Sequence, residues 1–231
     1  MQELPIISEY FIQQKTWQIL NAAYPEGIPA PIPIEDLIEL HFKVGLEFAD
    51  FEEEFKTANI DVKADGFTCF FQDKIFINSP LNQKGQKKRT RFSMSHELGH
   101  YVLHRNYLYV GKTPSQCSYL YLKNHLELDR QADKFAAHFL MPIPLLYQKW
   151  VEWIQLHNLY EADSLSSLDL YGMVSDMADL FETSFKSMEI QLKYFGFFSN
   201  IPLKNNNISS SLTMKRFEEM CMIPSIAEIT I

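Results

Sequence analysis

Residues 95–104 read SHELGHYVLH: two histidines four apart, a glutamate directly after the first, and a further histidine four positions on. The surrounding segment, Lys88 to Arg105, carries Phe92, Leu98, Gly99, Val102 and Leu103 at helical spacing, which predicts a helix with one buried face. On such a helix His96 and His100 stand one turn apart on the same side, with about 6 Å between their Cβ atoms. Both imidazoles then reach one ion. Glu97 projects from the adjacent side, within range of an attacking water but not of the ion as a ligand, which suits a general base.

Two histidines do not complete a hydrolytic metal site. Zinc in such a site takes three protein ligands and keeps a fourth position open. In an HExxHxxGxxH pattern the third ligand follows on the same segment, but the glycine and histidine positions are Leu103 and Asn106 here. His104 lies two turns from His96, about 12 Å along the axis, too far to share an ion on a continuous helix. It is expected to pack or to support a ligand.

The third ligand must therefore come from a second element. ELDRQADKFAAHFLMP (Glu127 to Pro142) has a buried stripe of Leu128, Ala132, Phe135, Ala136 and Phe139 and ends at Pro142 and Pro144, so a helix is expected from about Glu127 to Met141. It offers Glu127, Asp129 and Asp133. Asp129 and Asp133 are one turn apart, so one can bind a metal while the other hydrogen-bonds a liganding imidazole. Upstream, GFTCFFQDKIFINSP (Gly66 to Pro80) reads as two Phe-, Ile- and Thr-rich runs around QDK, a β-hairpin expected beside the motif helix.

Further out the pattern is mostly helical. Residues 8–24 repeat apolar positions at helical spacing, four prolines and a glycine break YPEGIPAPIPIEDL, and IEDLIELHF begins a short amphipathic helix at Ile34. Asn106 to Asn124 reads as a polar and aromatic connection. Residues 145–157 form an amphipathic segment with Trp150 and Trp153. Leu170 to Phe198 reads as two short helices meeting near ETS and stopping at Gly196. KNNNISSS (Lys204 to Ser211) and the residues after it are expected as loop and tail. The division expected is a domain over 1–160 holding the N-terminal helix, hairpin and both site helices, with a C-terminal helical region, 161–231, packed on it.

Bulk properties narrow the function. A 231-residue chain with a formal charge of −8 is large enough for one substantial domain and too acidic for a broad nucleic-acid surface. The one basic run, KGQKKRTR (Lys84 to Arg91), is expected as a solvated loop and helix start, with an anionic contact as the alternative. Cys69, Cys117 and Cys221 are widely spaced and form no CxxC pair, so neither a disulfide framework nor a thiolate zinc knuckle is expected. The N-terminus lacks the basic and apolar regions of a secretory signal, and the longest apolar stretch is too short to span a bilayer. A cytoplasmic location is expected.

RFSMSHELGHYVLH and DRQADKFAAHFLMP, with KIFINSP ahead of them, closely resemble the ImmA/IrrE zinc metallopeptidases. The resemblance runs in order over about residues 30–145 and extends more weakly to MADLFETSFKSMEIQLKYFGFF. It implies an α+β, mostly helical, zincin-like metallopeptidase domain with a small sheet or hairpin beside the HExxH helix. It also implies one Zn2+ per chain, with His96 and His100 as ligands and Glu97 as the catalytic residue. The family's third ligand is a glutamate three residues before the alanine of ExxA[ND]; that position is Asp129 here, one methylene shorter. Asp129 is then the expected third ligand, Glu127 the alternative, and Asp133 matches the [ND] position. By the same resemblance the substrate is a helix-turn-helix transcriptional repressor, cut to release genes of a mobile element or a stress response; from the acidic charge and the short apolar stretches, no direct nucleic-acid or membrane partner is expected.

The rival reading is a non-catalytic regulator that keeps the protease fold and binds a repressor or toxin, the shortened Asp129 marking decay of the site. Tyr101, Tyr119 and Tyr121 are candidates for an oxyanion donor by chemistry alone, and core packing is the expected role of each.

Overall fold

The computed structural model describes residues 4, 6–51, 64–82, 85–159, 164–197 and 208–209. The fold is α+β and mostly helical, with a small three-stranded sheet. Two compact units divide it: Met1–Pro142 together with Ala178–Ser184, and Ile143–Met177 together with Phe185–Ile231.

In the first unit, α1 spans Glu9–Ala23 and starts where the Ser8 hydroxyl accepts from the Phe11 amide. The proline-rich stretch is non-helical as expected, and α2 starts at Ile34 and relaxes into a π turn over Leu37–His41. The hairpin forms from β2 (Gly66–Cys69) and β3 (Lys74–Asn78), antiparallel with Cys69 opposite Lys74. Asp73, at φ 50°, closes its turn. A third strand that sequence pattern did not reveal, β1 (Gly45–Ala49), lies parallel to β3 on its far side, giving the order β1-β3-β2. Ile75 and Ile77 of β3 are fully buried. Phe67 and Phe76 stack across the strands at 4.7 Å between ring centroids.

Helix α3, Lys87–Leu108, carries the HExxH motif. It differs from the one-faced helix the periodicity implies: Thr90, Arg91, Met94, Ser95, Glu97, Leu98, His100 and His104 are all buried. The reason is its position, between the sheet on one side and a second long helix on the other. That helix, α4, spans Pro114–Leu140. Most of the expected connection from Asn106 to Asn124 is thus helical, and only Tyr109 to Thr113 separates α3 from α4. The start is set by a capping box, in which the Thr113 hydroxyl accepts from the Gln116 amide and the Gln116 side chain accepts from the Thr113 amide, with Pro114 at the first turn.

The basic run at the head of α3 is not a free cationic surface. Lys87 pairs with Glu182, Lys88 with Asp179 at 2.6 Å, and Arg89 with Asp65 through two hydrogen bonds of 2.7 and 2.6 Å. Arg91, buried, donates to the Ile32 carbonyl at 2.7 Å and lies 3.5 Å from Glu182.

In the second unit, α5 (Ile143–Leu156) and α7 (Phe185–Tyr194) accompany α6, whose span Ser167–Leu180 runs into the Ala178–Ser184 segment of the first unit. Trp150 packs on Phe197 and the Trp153 indole donates to Asp176. Gly196, at φ 74°, ends the chain's last described helix as expected. A two-residue strand, Ser164–Leu165, pairs with Ile208–Ser209 inside the expected KNNNISSS loop; the rest of that loop and the tail, Cys221 included, lie outside the described residues. No helix among the described residues is long and apolar enough to cross a membrane.

Candidate metal centre

Close packing of α3 on α4 builds the site. Gly99 makes it possible: a Cβ placed there would lie 3.1 Å from the Phe135 side chain and 3.2 Å from the Ala132 Cα. With glycine on one helix and alanine facing it, the backbones approach closely enough for a short carboxylate on α4 to reach the imidazoles of α3.

The structure brings together His96, His100 and Asp129, each offering one ligand atom, all within 4.8 Å of one another. The Nε2 atoms of His96 and His100 lie 3.0 Å apart, and His100 Nε2 is 3.3 Å from Asp129 Oδ1. Ligands on a tetrahedral zinc, at bonds of about 2.0–2.1 Å, sit roughly 3.3 Å from each other; the two separations from His100 are of that size, and the donor set of two imidazole nitrogens and a carboxylate oxygen suits such an ion. Glu127 is not in this group. Its carboxylate accepts from Arg130 (2.8 and 2.6 Å) and from the Gln131 amide (2.8 Å), contacts that pull its pKa down to about 2. Asp133 faces the other side of the first imidazole, its Oδ1 2.8 Å from His96 Nδ1.

The electrostatics follow from those contacts. Burial opposes charge on His96, but the hydrogen bond to Asp133 and the nearby Glu97, Asp133 and Asp129 outweigh it and raise its pKa. Burial likewise pushes Asp129 up, yet its hydrogen bonds with His100 and Tyr121 prevail and hold it below the usual carboxylate value. Burial, helped by the neighbouring His100, drives His104 down to about 3.

Glu97 is buried against the sheet. The Thr68 hydroxyl of β2 lies 2.8 Å from both the Glu97 carbonyl and its carboxylate Oε2. Gly66, on the same strand, is small because a Cβ there would meet the Glu97 Cγ at 3.0 Å and the Phe76 carbonyl at 2.8 Å.

Three contacts of the site lie outside the motifs legible in the sequence: Thr68 on Glu97, Tyr121 on Asp129, and Gln131 on His104. The Tyr121 hydroxyl donates to Asp129 Oδ1 at 2.8 Å, and its ring meets His100 edge-on at 5.8 Å. The relation was hidden because residues up to Asn124 read as a connection; the Thr-Pro-Ser-Gln capping box at 113–116 could have revealed the helix that puts Tyr121 two turns before Asp129. Of the other tyrosines, Tyr101 donates to Asp73 on the hairpin turn, and Tyr119 is exposed, against the core role expected of it.

An HExxH helix beside a small sheet, crossed by a helix that brings an acid to its two histidines, defines the zincin-like class of metallopeptidases. The family model of the IrrE N-terminal-like domain matches residues 54–193, and the chain belongs to this ImmA/IrrE metallopeptidase family. No curated protein matches the chain.

Proposed function

We propose that this chain is a zinc-dependent endopeptidase, with His96, His100 and Asp129 as the metal ligands and Glu97 as the general base. The observation that carries this reading is the convergence of those three ligand atoms within 4.8 Å, beside a buried glutamate, in a chain of a metallopeptidase family. Zinc bound there would polarise the scissile carbonyl and make an attacking water acidic at neutral pH.

The chain's own residues do the rest. Glu97 takes the proton from the attacking water and returns it to the leaving amine. Thr68 holds that carboxylate against β2 through Oε2, which leaves Oε1 to act as the base. Asp133 keeps the His96 ring oriented through Nδ1. The domain carrying this chemistry is the proposed 1–160 division, and the substrate is a protein, proposed from the family resemblance to be a helix-turn-helix repressor. The free thiols of Cys69 and Cys117 support a reducing, cytoplasmic location.

The test is metal analysis of the purified chain together with co-expression beside a candidate repressor. One zinc per chain is expected, lost in Asp129→Ala. Glu97→Gln should keep the zinc and abolish the truncated repressor product. Unchanged biological activity in Glu97→Gln would instead favour the non-catalytic regulator.

A further inference from the structure

We infer that His104, Gln131 and Glu127 form a buried hydrogen-bonded chain that fixes which nitrogen of His100 carries its proton, making His104 a positioning residue for the metal site. The inference rests on the metal-site reading above and extends it to residues that do not touch the ion.

The polarity of the chain is dictated from its outer end. Glu127 accepts both Nε and Nη2 hydrogens of Arg130 and a hydrogen of the Gln131 amide nitrogen at 2.8 Å. A carboxylate in that role only accepts, so the nitrogen of Gln131 faces Glu127 and its oxygen faces inward. That oxygen lies 3.1 Å from His104 Nε2. An amide oxygen also only accepts, so His104 carries its proton on Nε2.

His104 is fully buried, its ring between the Gln131 amide and the His100 ring. A neutral ring with Nε2 protonated presents a lone pair at Nδ1, and His104 Nδ1 is 3.0 Å from His100 Nδ1. His100 must then donate from Nδ1, leaving the lone pair of its Nε2 directed at the point shared with His96 and Asp129. Each link favours the next, the last against the pull of Asp129 Oδ1, 3.3 Å from His100 Nε2, for a proton on that nitrogen. A surface ion pair on α4 thereby sets the protonation pattern of a buried ligand on α3.

The two liganding histidines are therefore prepared differently. His96 has a carboxylate on its Nδ1, exposed Asp133 being within one hydrogen bond. His100 has no acid on that nitrogen; its orientation is borrowed through two neutral side chains from Glu127. This also gives Glu127 a role other than direct ligation.

The experiment uses the full-length chain, metal-free and labelled with 15N-histidine. Long-range 1H–15N correlation spectra near neutral pH report the proton position on each ring. The expected result is His100 protonated on Nδ1 and His104 on Nε2. Gln131→Met, close in shape but unable to accept, should leave the chain folded, give His100 a mixture of both forms, and weaken zinc binding by about 10–100-fold in competition with a chromophoric chelator. His138→Phe, which alters another buried histidine of α4 away from this chain, should change the melting temperature and leave zinc affinity unchanged.

Finding His100 protonated on Nε2 in the unmutated protein overturns the inference, whether or not the variants fold. So does a folded Gln131→Met with unaltered His100 spectrum and zinc affinity. Correct proton positions in a protein that binds no zinc would uphold the hydrogen-bonded chain and overturn the metal reading instead.

Discussion

At the scale of single residues, the site depends on side chains being held by partners that take no part in the chemistry. Thr68 is the simplest case. Its hydroxyl sits 2.8 Å from the Glu97 carboxylate, and removing it in Thr68→Val keeps the shape and loses the hydrogen bond. The expected cost is about 1 kcal/mol of stability, read by urea unfolding. A fall of roughly tenfold in kcat with KM little changed is expected beside it, since a freed carboxylate spends less time in line with the water. A second prediction concerns pH. Burial disfavours a charged His96, but Asp133, Glu97 and Asp129 raise its pKa overall, so protons compete for its Nε2 at higher pH than for an ordinary histidine. Zinc affinity should fall on acidification, and His96 should begin to lose the ion above the usual histidine midpoint. A titration showing affinity independent of pH through this range would remove the reading.

At the scale of elements, the crossing of α3 on α4 decides whether an aspartate can serve at position 129. Gly99→Ala places a methyl 3.1 Å from Phe135 and 3.2 Å from the Ala132 Cα, so Phe135 and the facing α4 backbone must give by a few tenths of an ångström, and α4 is expected to draw back. The expected loss is about 1–3 kcal/mol. Zinc affinity should fall as well, because a short carboxylate cannot follow a retreating helix. Urea unfolding and a zinc titration on the same variant check both; equal zinc affinity in a destabilised variant would separate packing from metal binding. These elements were unevenly legible in the sequence. The hairpin and the motif helix follow from local patterns, and His96 facing His100 follows from spacing alone. The first half of α4 did not emerge, since its exposed Tyr119, Leu122 and Leu126 spoil the apolar periodicity, although its capping box was there to be read. Strand β1 was hidden for a different reason. Its half-exposed GLEFA run has no clear alternation, and only pairing with β3 makes it a strand. That Asp129 and not Glu127 lies beside the histidines is likewise a fact of helix crossing, which no single segment encodes.

At the scale of the whole molecule, stability is tied to acid and to distant charges. His104 is held down to about 3 and His138 below its ordinary value, in both cases mainly by burial. An unfolded chain protonates these rings near pH 6.5 while the folded one refuses the proton, so stability is present above that pH and is lost as pH falls toward 3. For His104 the loss is on the order of a few kcal/mol. The melting temperature of the metal-free protein should drop between neutral pH and about pH 5. His96, with its raised pKa, acts in the opposite sense, so the drop should steepen in His96→Ala. Removing Glu182, the acid facing buried Arg91 and also paired with Lys87, should cost about 1–2 kcal/mol in Glu182→Ala, less than a fully buried pair because the Arg91–Glu182 distance is 3.5 Å. Thermal unfolding measures it, with Lys186→Ala, which removes an exposed pair, as the near-neutral comparison.

The pairing of Lys87, Lys88 and Arg91 with Asp179 and Glu182 has a consequence for the order of events during synthesis. The first compact unit closes with residues 178–184, about forty positions after the end of its continuous part at Pro142. A ribosome that has delivered both histidines and Asp129 to the outside has not yet delivered the acids that settle the head of their helix. Nascent chains halted just short of Ala178 should therefore be more open to digestion than those halted well past Ser184, and protection of the HExxH segment should arrive late, in one step, as that short anionic stretch leaves the exit tunnel.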